Sequence, residues 1–286
     1  MVVCERNGRQ SAWCVLLLIG LTSVDCFSGM RSGRSLLRMV SSDVEADSKL
    51  SPRDERRRIL KSPNYNRMGF KDAKLDVAES MDQEFTSSLV GELREAGSKG
   101  LQRGDINLKL AEYYGFCWGV ERAVAMAYQA RTHFGDDQDI YITNEIIHNP
   151  QVNDRLHEMN IKFLEGDIGK KDYSPVEEGD VVILPAFGAT IQEMQFLDAK
   201  DAKIVDTTCP WVSKVWNAVD SHRKMGQTTI IHGKWAHEET VATASFCDDY
   251  LIVKDMAEAE YVSNYILNGG DKAEFIEKFK NAMSKG

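Results

Sequence analysis

Short apolar runs alternate with amphipathic stretches between residues 105 and 267. The runs are four or five residues long, and most are rich in Ile and Val, so they predict strands. These strands are expected at residues 106–110, 140–143, 161–164, 181–185, 203–206, 228–231 and 250–253. The stretches between them repeat apolar residues at helical spacing and predict helices at residues 118–132, 151–158, 190–199, 212–223, 239–244 and 257–267. Such alternation is typical of the α/β class, in which helices cover parallel sheets.

The rest of the chain divides into further segments. Residues 43–104 predict a linker with a solvated basic run at 53–58, followed by an amphipathic helix over residues 70–93. Two α/β lobes are then expected, at residues 105–202 and 203–286.

Residues 1–42 have the composition of a targeting leader. Arg6 and Arg9 precede an apolar run at residues 13–24, which resembles a signal-peptide core and is short for a membrane span. Residues 27–42 contain three Arg, five Ser and no acidic residue, as transit peptides do. Together they predict a two-part leader and delivery to a plastid of secondary origin, with an ordinary secretory signal as the alternative.

The charge balance limits the partners of the chain. The sequence has 35 Lys and Arg against 44 Asp and Glu, and its net charge without residues 1–42 is −12. An acidic body is poorly suited to nucleic acid or an anionic membrane, so we expect neither as a partner of the mature protein.

The cysteines outside the leader are few. Only Cys117, Cys209 and Cys247 remain of the six in the sequence. An odd set without CxxC spacing argues against a disulfide framework and against the common zinc modules.

Reactive residues follow several predicted strands. Cys117 comes after the first strand, His148 after the second and Cys209 after the fifth, while His232 and His237 follow the sixth. The small-residue turn PAFGAT follows the fourth strand. Because ligands of parallel sheets bind beyond the carboxyl ends of the strands, we expect these side chains at one edge.

These residue types suit a metal centre and an anion. Cys117 and Cys209 each begin a predicted helix, where the thiolate is favoured, although either one alone is more often a small buried apolar residue. Histidines near helix starts suit an anion. Glu239 suits proton transfer to a bound substrate, or else a first-turn carboxylate that complements the helix dipole. The residues alone thus indicate a metal or iron-sulfur centre that acts on an anionic small molecule.

Six blocks in order resemble the plant and cyanobacterial branch of the LytB family, the 4-hydroxy-3-methylbut-2-enyl diphosphate reductases. The blocks are SPNYNRMGF, AEYYGFCWGVERAVAMAYQAR, TNEIIHNPQVNDRLHEM, VVILPAFGA, IVDTTCPWVSKVWNAV and IHGKWAHEETVATASF. The resemblance begins near Ile59 and implies repeated α/β lobes around a central cluster site, three in the family. It also implies the last step of the methylerythritol phosphate route. There the allylic hydroxyl is removed with two electrons and protons, giving isopentenyl and dimethylallyl diphosphate.

The resemblance assigns roles to five residues. It implies a 4Fe-4S cluster held by three cysteines, and Cys117 and Cys209 match two of these ligands. His148 and His237 match histidines that contact the substrate diphosphate. Glu239 matches the carboxylate that relays protons toward the leaving hydroxyl. A ferredoxin-like protein is the implied electron donor.

The chain departs from the family pattern in two places. The bacterial branch has a histidine where this chain, like the plant branch, has Phe187. The third cluster cysteine, a threonine before it and the serine and asparagine groups that clamp the diphosphate would come after residue 286, and Cys247 matches no family ligand. We therefore expect a C-terminally truncated fragment that lacks the third lobe.

Two other interpretations stay open. The chain is then either a non-catalytic fragment that binds a metal or a partner through its cysteines, or a protein in which Cys117 and Cys209 form a redox thiol pair.

Overall fold

The computed structural model of the chain describes residues 50–97, 100–168 and 170–284, so the predicted leader at residues 1–42 lies outside it. The strands described are β1 (Tyr65–Asn66), β2 (Leu101–Arg103), β3 (Ile106–Leu108), β4 (Ile140–Ile142), β5 (Ile161–Phe163), β6 (Val181–Leu184), β7 (Lys203–Asp206), β8 (Thr229–His232) and β9 (Tyr250–Val253). The helices described are α1 (Pro52–Ile59), α2 (Lys74–Phe85), α3 (Ser88–Ala96), α4 (Trp118–Phe134), α5 (Pro150–Glu158), α6 (Ile191–Ala199), α7 (Pro210–Lys224), α8 (Glu238–Ala244), α9 (Met256–Asn268) and α10 (Lys272–Phe279). Among these helices, none is both long and apolar enough to cross a bilayer.

Five strands form one parallel sheet in the order β1-β7-β6-β4-β5. The predicted α/β class is therefore confirmed. β5 lies on one side of β4, whereas β6, the next strand in the chain, lies on the other side. The loops that follow β4 and β6 thus face a shared crevice at the carboxyl edge, where ligands of such sheets bind.

Side chains of the sheet alternate between two cores, as the two-residue period of a strand requires. Ile140 and Ile142 of β4 belong to the core under α2, α4 and α5. Tyr141 between them belongs to the core under α1, α6 and α7. Because helices cover both faces, all four residues of β6 are buried, and the strand appears in the sequence as a continuous apolar run.

β8 and β9 form a separate parallel pair. Its small core joins Ile252 and Val253 of β9 to Val262 of α9 and Phe279 of α10. This pair carries the loop from residue 233 to 237 toward the larger sheet.

The prediction for the strand at residues 106–110 is wrong in its pairing. β3 pairs antiparallel with β2 and does not join the parallel sheet. Only two residues separate β2 from β3, which suits a hairpin and is far too short for a parallel crossover. Gly104, at φ 59°, supplies the left-handed backbone that such a tight turn needs.

The single helix predicted over residues 70–93 is two helices in the structure. Thr86 is extended (φ −94°, ψ 117°) and ends α2, and Ser87 precedes α3. The apolar spacing continues across this break, so periodicity alone predicts one helix.

The basic run at residues 53–58 is not the solvated linker that its charge predicts. It forms α1, in which Pro52 begins the first turn and the Ser51 side chain accepts the Asp54 N–H at 3.2 Å. Ile59 at its end is fully buried, and α1 packs against α6.

The five-stranded sheet contains strands from more than one of the segments expected from the sequence. β7 lies beyond the boundary expected between residues 202 and 203, and it pairs with both β6 and β1. β1 itself belongs to the expected N-terminal extension. The sheet therefore takes strands from the expected N-terminal extension and from both expected lobes.

Candidate functional site

The two cysteines occupy equivalent positions, because each precedes the first turn of a long helix. Cys117 is the N-cap of α4 and Cys209 is the N-cap of α7. A Cβ built on Gly119 would overlap Cys209 Sγ and would lie 4.0 Å from Cys117 Sγ. Both sulfurs therefore lie at the start of α4. Both thiols are free, with Cys117 exposed and Cys209 half-buried.

Cys117 lies near the carboxyl edge of the parallel sheet, but not because it follows a strand of that sheet, as the sequence predicts. It follows the antiparallel β2–β3 hairpin and not a strand of the parallel sheet. It is placed by α4, which packs on the sheet and contacts β7. Cys209, by contrast, comes three residues after β7, as predicted.

The PAFGAT turn after β6 joins the cysteines to the histidines. The N–H of Cys209 donates to the carbonyl of Ala186 at 3.0 Å. The ring of Phe187 stacks on His148 with 4.3 Å between centroids. Gly188 has φ 89°, and a Cβ there would overlap the ring of Trp216, so this turn requires glycine.

His148 and His237 meet across the space between the two parallel sheets. Their Nε2 atoms are 3.2 Å apart. His148 lies in the loop after β4, and His237 is the N-cap of α8. The carboxylate of Glu145 lies 2.9 Å from Nδ1 of His148. The loop after β4 and the start of α8 thus bring two imidazoles to one point.

The neighbours of the two rings determine which nitrogens carry protons in the neutral pair. The N–H of Glu239 donates to Nδ1 of His237 at 3.3 Å, so the proton of neutral His237 lies on Nε2. That proton faces Nε2 of His148, which leaves the proton of His148 on Nδ1, facing Glu145. The hydrogen bonds that run from Glu145 through His148 and His237 to the N–H of Glu239 are therefore mutually consistent, and they orient both rings.

Two carboxylates adjoin the histidines in the first turn of α8. Burial raises the pKa of Glu239, and the nearby His237 offsets part of that rise. A half-buried carboxyl of this kind keeps its proton closer to neutral pH, as a general acid requires. Glu238 accepts a hydrogen bond from Asn144, and one of its oxygens lies within 4.8 Å of ring nitrogens of His148 and His237.

Cys247 and His232 lie apart from this group. The thiol of Cys247 packs against the core and lies 3.8 Å from the carbonyl of Thr243. Burial raises the pKa of Cys247 to about 11, so it stays protonated near neutral pH. The expectation that Cys247 is not a ligand stays a prediction. His232 is exposed at the end of β8, and an anion-binding role for it stays a prediction.

The sequence analysis missed Asn144, Glu145 and Glu238, which support the histidines. Each stands within four residues of a predicted histidine, so the loops themselves were identified. The pattern does not show that the two loops meet, because β4 and β8 belong to different sheets.

Comparison with known proteins places the chain in a family. Residues 108–280 match the family model described as LytB protein. The chain is 58% identical over 231 residues to 4-hydroxy-3-methylbut-2-enyl diphosphate reductase of Microcystis aeruginosa and 59% identical over 231 residues to that of Crocosphaera subtropica. Each match covers 81% of this chain and 57% of the relative.

A solved structure of E-1-hydroxy-2-methyl-but-2-enyl-4-diphosphate reductase from Plasmodium falciparum also matches, with a TM-score of 0.46 and 27% identity over 52% of this chain and 45% of that one. The chain spans little more than half the length of the curated relatives it matches. Since the family model matches more than half of the sequence, the chain belongs to the LytB family.

Proposed function

We propose that this chain carries cofactor-binding and substrate-binding residues of a 4-hydroxy-3-methylbut-2-enyl diphosphate reductase. The observation that carries the proposal is the meeting of Cys117 and Cys209 at Gly119, linked by one turn to the His148–His237 pair. Membership of the LytB family supports it.

The residues at Gly119 fit an iron-sulfur cluster. The donors are two thiols at helix N-termini, where thiolates are favoured, and thiolates are the ligands of such clusters. The missing side chain of Gly119 lets Cys209 Sγ lie against the start of α4, next to Cys117. We assign to Cys117 and Cys209 two of the cysteine ligands of a 4Fe-4S cluster. When bound, the cluster supplies electrons and an iron open to the substrate oxygen.

The histidine pair suits the diphosphate of the substrate. His237 presents an Nε2–H toward the point where the two rings meet. Glu145 holds His148 through Nδ1, so the Nε2 atom of His148 faces the same point. The Nε2–H of His237 can donate to an anionic oxygen there, while Glu145 fixes the orientation of the His148 ring.

Glu239 is the proposed proton donor. In the proposed reaction the allylic C–O bond breaks, and the hydroxyl takes up one proton and leaves as water. The second proton forms the new C–H bond, and two electrons come from a reduced donor. Burial raises the pKa of Glu239, which keeps a proton available at its carboxyl for the leaving hydroxyl.

The donor and the compartment complete the proposal. A ferredoxin-like protein is proposed as the electron donor, and a plastid as the location. The composition of residues 27–42 supports a plastid, as do the close matches to Microcystis and Crocosphaera.

The test uses the longest open reading frame that contains residues 1–286, read from the transcript and produced without oxygen; we call its product the expressed protein. It is reconstituted with iron and sulfide and assayed with 4-hydroxy-3-methylbut-2-enyl diphosphate and reduced viologen. We expect both isopentenyl and dimethylallyl diphosphate. A soluble product that binds iron without turnover would favour the non-catalytic interpretation, and one that binds no iron would refute the proposal.

A further inference from the structure

A buried carboxylate lies directly behind the Cys209 turn. Asp206 ends β7, three residues before Cys209, and is fully buried. Its Oδ2 accepts the hydroxyl of Tyr65 at 2.7 Å and pairs with Nε of Arg67 at 2.9 Å. Arg56 lies 3.7 Å from the same oxygen. These three residues belong to the segment 52–67, which we call the strap.

The strap lies outside the stretch matched by the family model, which begins at residue 108. It nevertheless holds the residue on which the Cys209 turn depends, because Oδ1 of Asp206 accepts the N–H of Thr208 at 3.0 Å. The 231 matched residues of this 286-residue chain necessarily include residues 56–231, so the cyanobacterial relatives match most of the strap as well.

Arg122 joins the strap to both cysteines. It lies on α4, five residues after Cys117 and therefore in the second turn. Its guanidinium donates to the carbonyls of Thr207 and Thr208 at 3.3 Å each, and to the carbonyl of Arg67 at 2.6 Å. Thr207 and Thr208 are fully buried, so their carbonyls have no water to replace these bonds. One side chain thus fixes the Cys117 helix, the Cys209 turn and the strap to one another.

We propose that Arg122 is a positioning residue that sets the distance between Cys117 and Cys209 by holding the Cys209 turn and the strap against α4. The part of this inference that concerns cluster binding rests on the proposed function. The hold of Arg122 on the Cys209 turn can be measured without iron.

The chain offers a matched control on the same helix. Arg131 also donates to three backbone carbonyls, those of Gly135 at 2.6 Å, Gln138 at 3.0 Å and Asn160 at 2.6 Å. It does so near the C-terminal end of α4, whereas both cysteines lie at the start of that helix. Arg122→Met and Arg131→Met therefore remove the same kind of interaction at two places, and Arg122→Lys restores a donor.

The first measurement is amide hydrogen exchange on the iron-free expressed protein. In the wild type the Cys209 N–H is bonded to Ala186 and the Thr207 N–H to Leu184. We expect Arg122→Met to speed exchange of these amides about tenfold or more, with Arg131→Met changing them little. Arg122→Lys should recover part of the protection. Unchanged exchange at Cys209 in Arg122→Met would overturn the proposal.

The second measurement is iron per chain after reconstitution. We expect Arg122→Met to retain several-fold less iron than Arg131→Met, at a similar melting temperature. Equal iron loss in the two variants would reduce Arg122 to a general stabiliser and refute the positioning role. If Arg122→Met does not fold, Arg122→Gln, which keeps a polar side chain but is too short to reach all three carbonyls, takes its place in both measurements. A wild type that binds no iron refutes the proposed function, while the exchange result still decides the geometry.

Discussion

The cysteine half of the site, Cys117, Gly119 and Cys209, differs in construction from the histidine half, His148, His237 and Glu239. The cysteines are N-caps placed by long helices, and the turn before Cys209 is fully buried and tied to Arg122 and Asp206. The histidines lie in loops that follow strands of two different sheets and meet through a contact between their rings, with the side chain of His148 52% exposed. The cysteine half is therefore fixed by backbone and buried charge, and the histidine half by more exposed side-chain contacts that can adjust to a ligand.

Because the two halves differ in construction, a substitution in one half should affect a different property from a substitution in the other. A rigid, buried frame suits a resident cofactor whose ligands must stay in place. An exposed imidazole and a half-buried one, joined by a hydrogen bond, suit a substrate that arrives and leaves. Changes in the first half should remove the cofactor, and changes in the second should leave it bound while turnover falls.

The largest expected effect is that of Cys209→Ser in the expressed protein. Loss of a ligand thiolate should lower iron per chain by about tenfold or more, since losing even a residue that supports a ligand costs roughly 10–100-fold in affinity. Visible absorption and iron analysis measure this. Cys247→Ser is the control, and it should keep wild-type iron because its thiol is packed in the core. Normal iron in Cys209→Ser would contradict the assignment.

Gly119→Ala should break the cysteine half without removing a ligand. The new Cβ would overlap Cys209 Sγ, and overpacking of this kind costs about 1–3 kcal/mol. We expect iron binding to fall several-fold while the fold is kept. Gly91→Ala on α3 is the matched control, because nothing lies within 4 Å of a Cβ there and the change should stabilise the helix by up to ~1 kcal/mol. Equal iron in both variants would show that the sulfurs do not depend on this contact.

Glu239→Gln should lower turnover without affecting iron binding, and so distinguishes the histidine half from the cysteine half most clearly. Iron per chain and visible absorption should stay at the wild-type level, while turnover falls by about 10²–10⁴-fold, the usual contribution of a positioned acid. Its neighbour Glu238→Gln, whose partner is Asn144, should lose less turnover. Unchanged turnover in Glu239→Gln would remove Glu239 from the mechanism.

The same variant has a pH signature in its stability. Burial raises the pKa of Glu239, so the folded state binds this proton more tightly than the unfolded state. The resulting stabilisation is fully present below the unfolded pKa and is lost as pH rises through the folded pKa. Melting temperatures should therefore favour Glu239→Gln over the wild type increasingly as pH rises from 4 to 7. A difference that is constant with pH would contradict the raised pKa.

Glu145→Gln should have the smallest effect. It replaces a charge-assisted hydrogen bond to Nδ1 of His148 by a neutral one, which predicts a rise in KM for the diphosphate substrate of roughly 2- to 10-fold. Iron and kcat should change little. A large loss of iron here would show that the two halves are not separable.

The sequence predicted the strands around the site better than the residues that hold the site residues in place. The strand runs at residues 140–143, 181–185 and 203–206 predicted the parallel strands and the edge where His148 and Cys209 lie, because buried strands carry a strong local signal. The pairing of β3 and the role of the strap were missed. Hairpin pairing depends on a tight turn, and the basic run of α1 is held in place by ion pairs with residues such as Asp220, far away in the sequence. Arg122 was missed for the same reason, since its partners lie 55 to 86 positions away.

The measurement that tests the central claim most directly is thiol alkylation of the expressed protein, read by mass spectrometry before and after anaerobic reconstitution. Without iron and without reductant, Cys117 and Cys209 should both label at pH 8, while Cys247, with its pKa raised to about 11, should label slowly. After reconstitution Cys117 and Cys209 should be protected together, and Cys247 should be unchanged. If Cys117 and Cys209 label equally in both states, they do not hold the cluster; protection before any iron is added, and lost on reduction, would make them a redox pair instead.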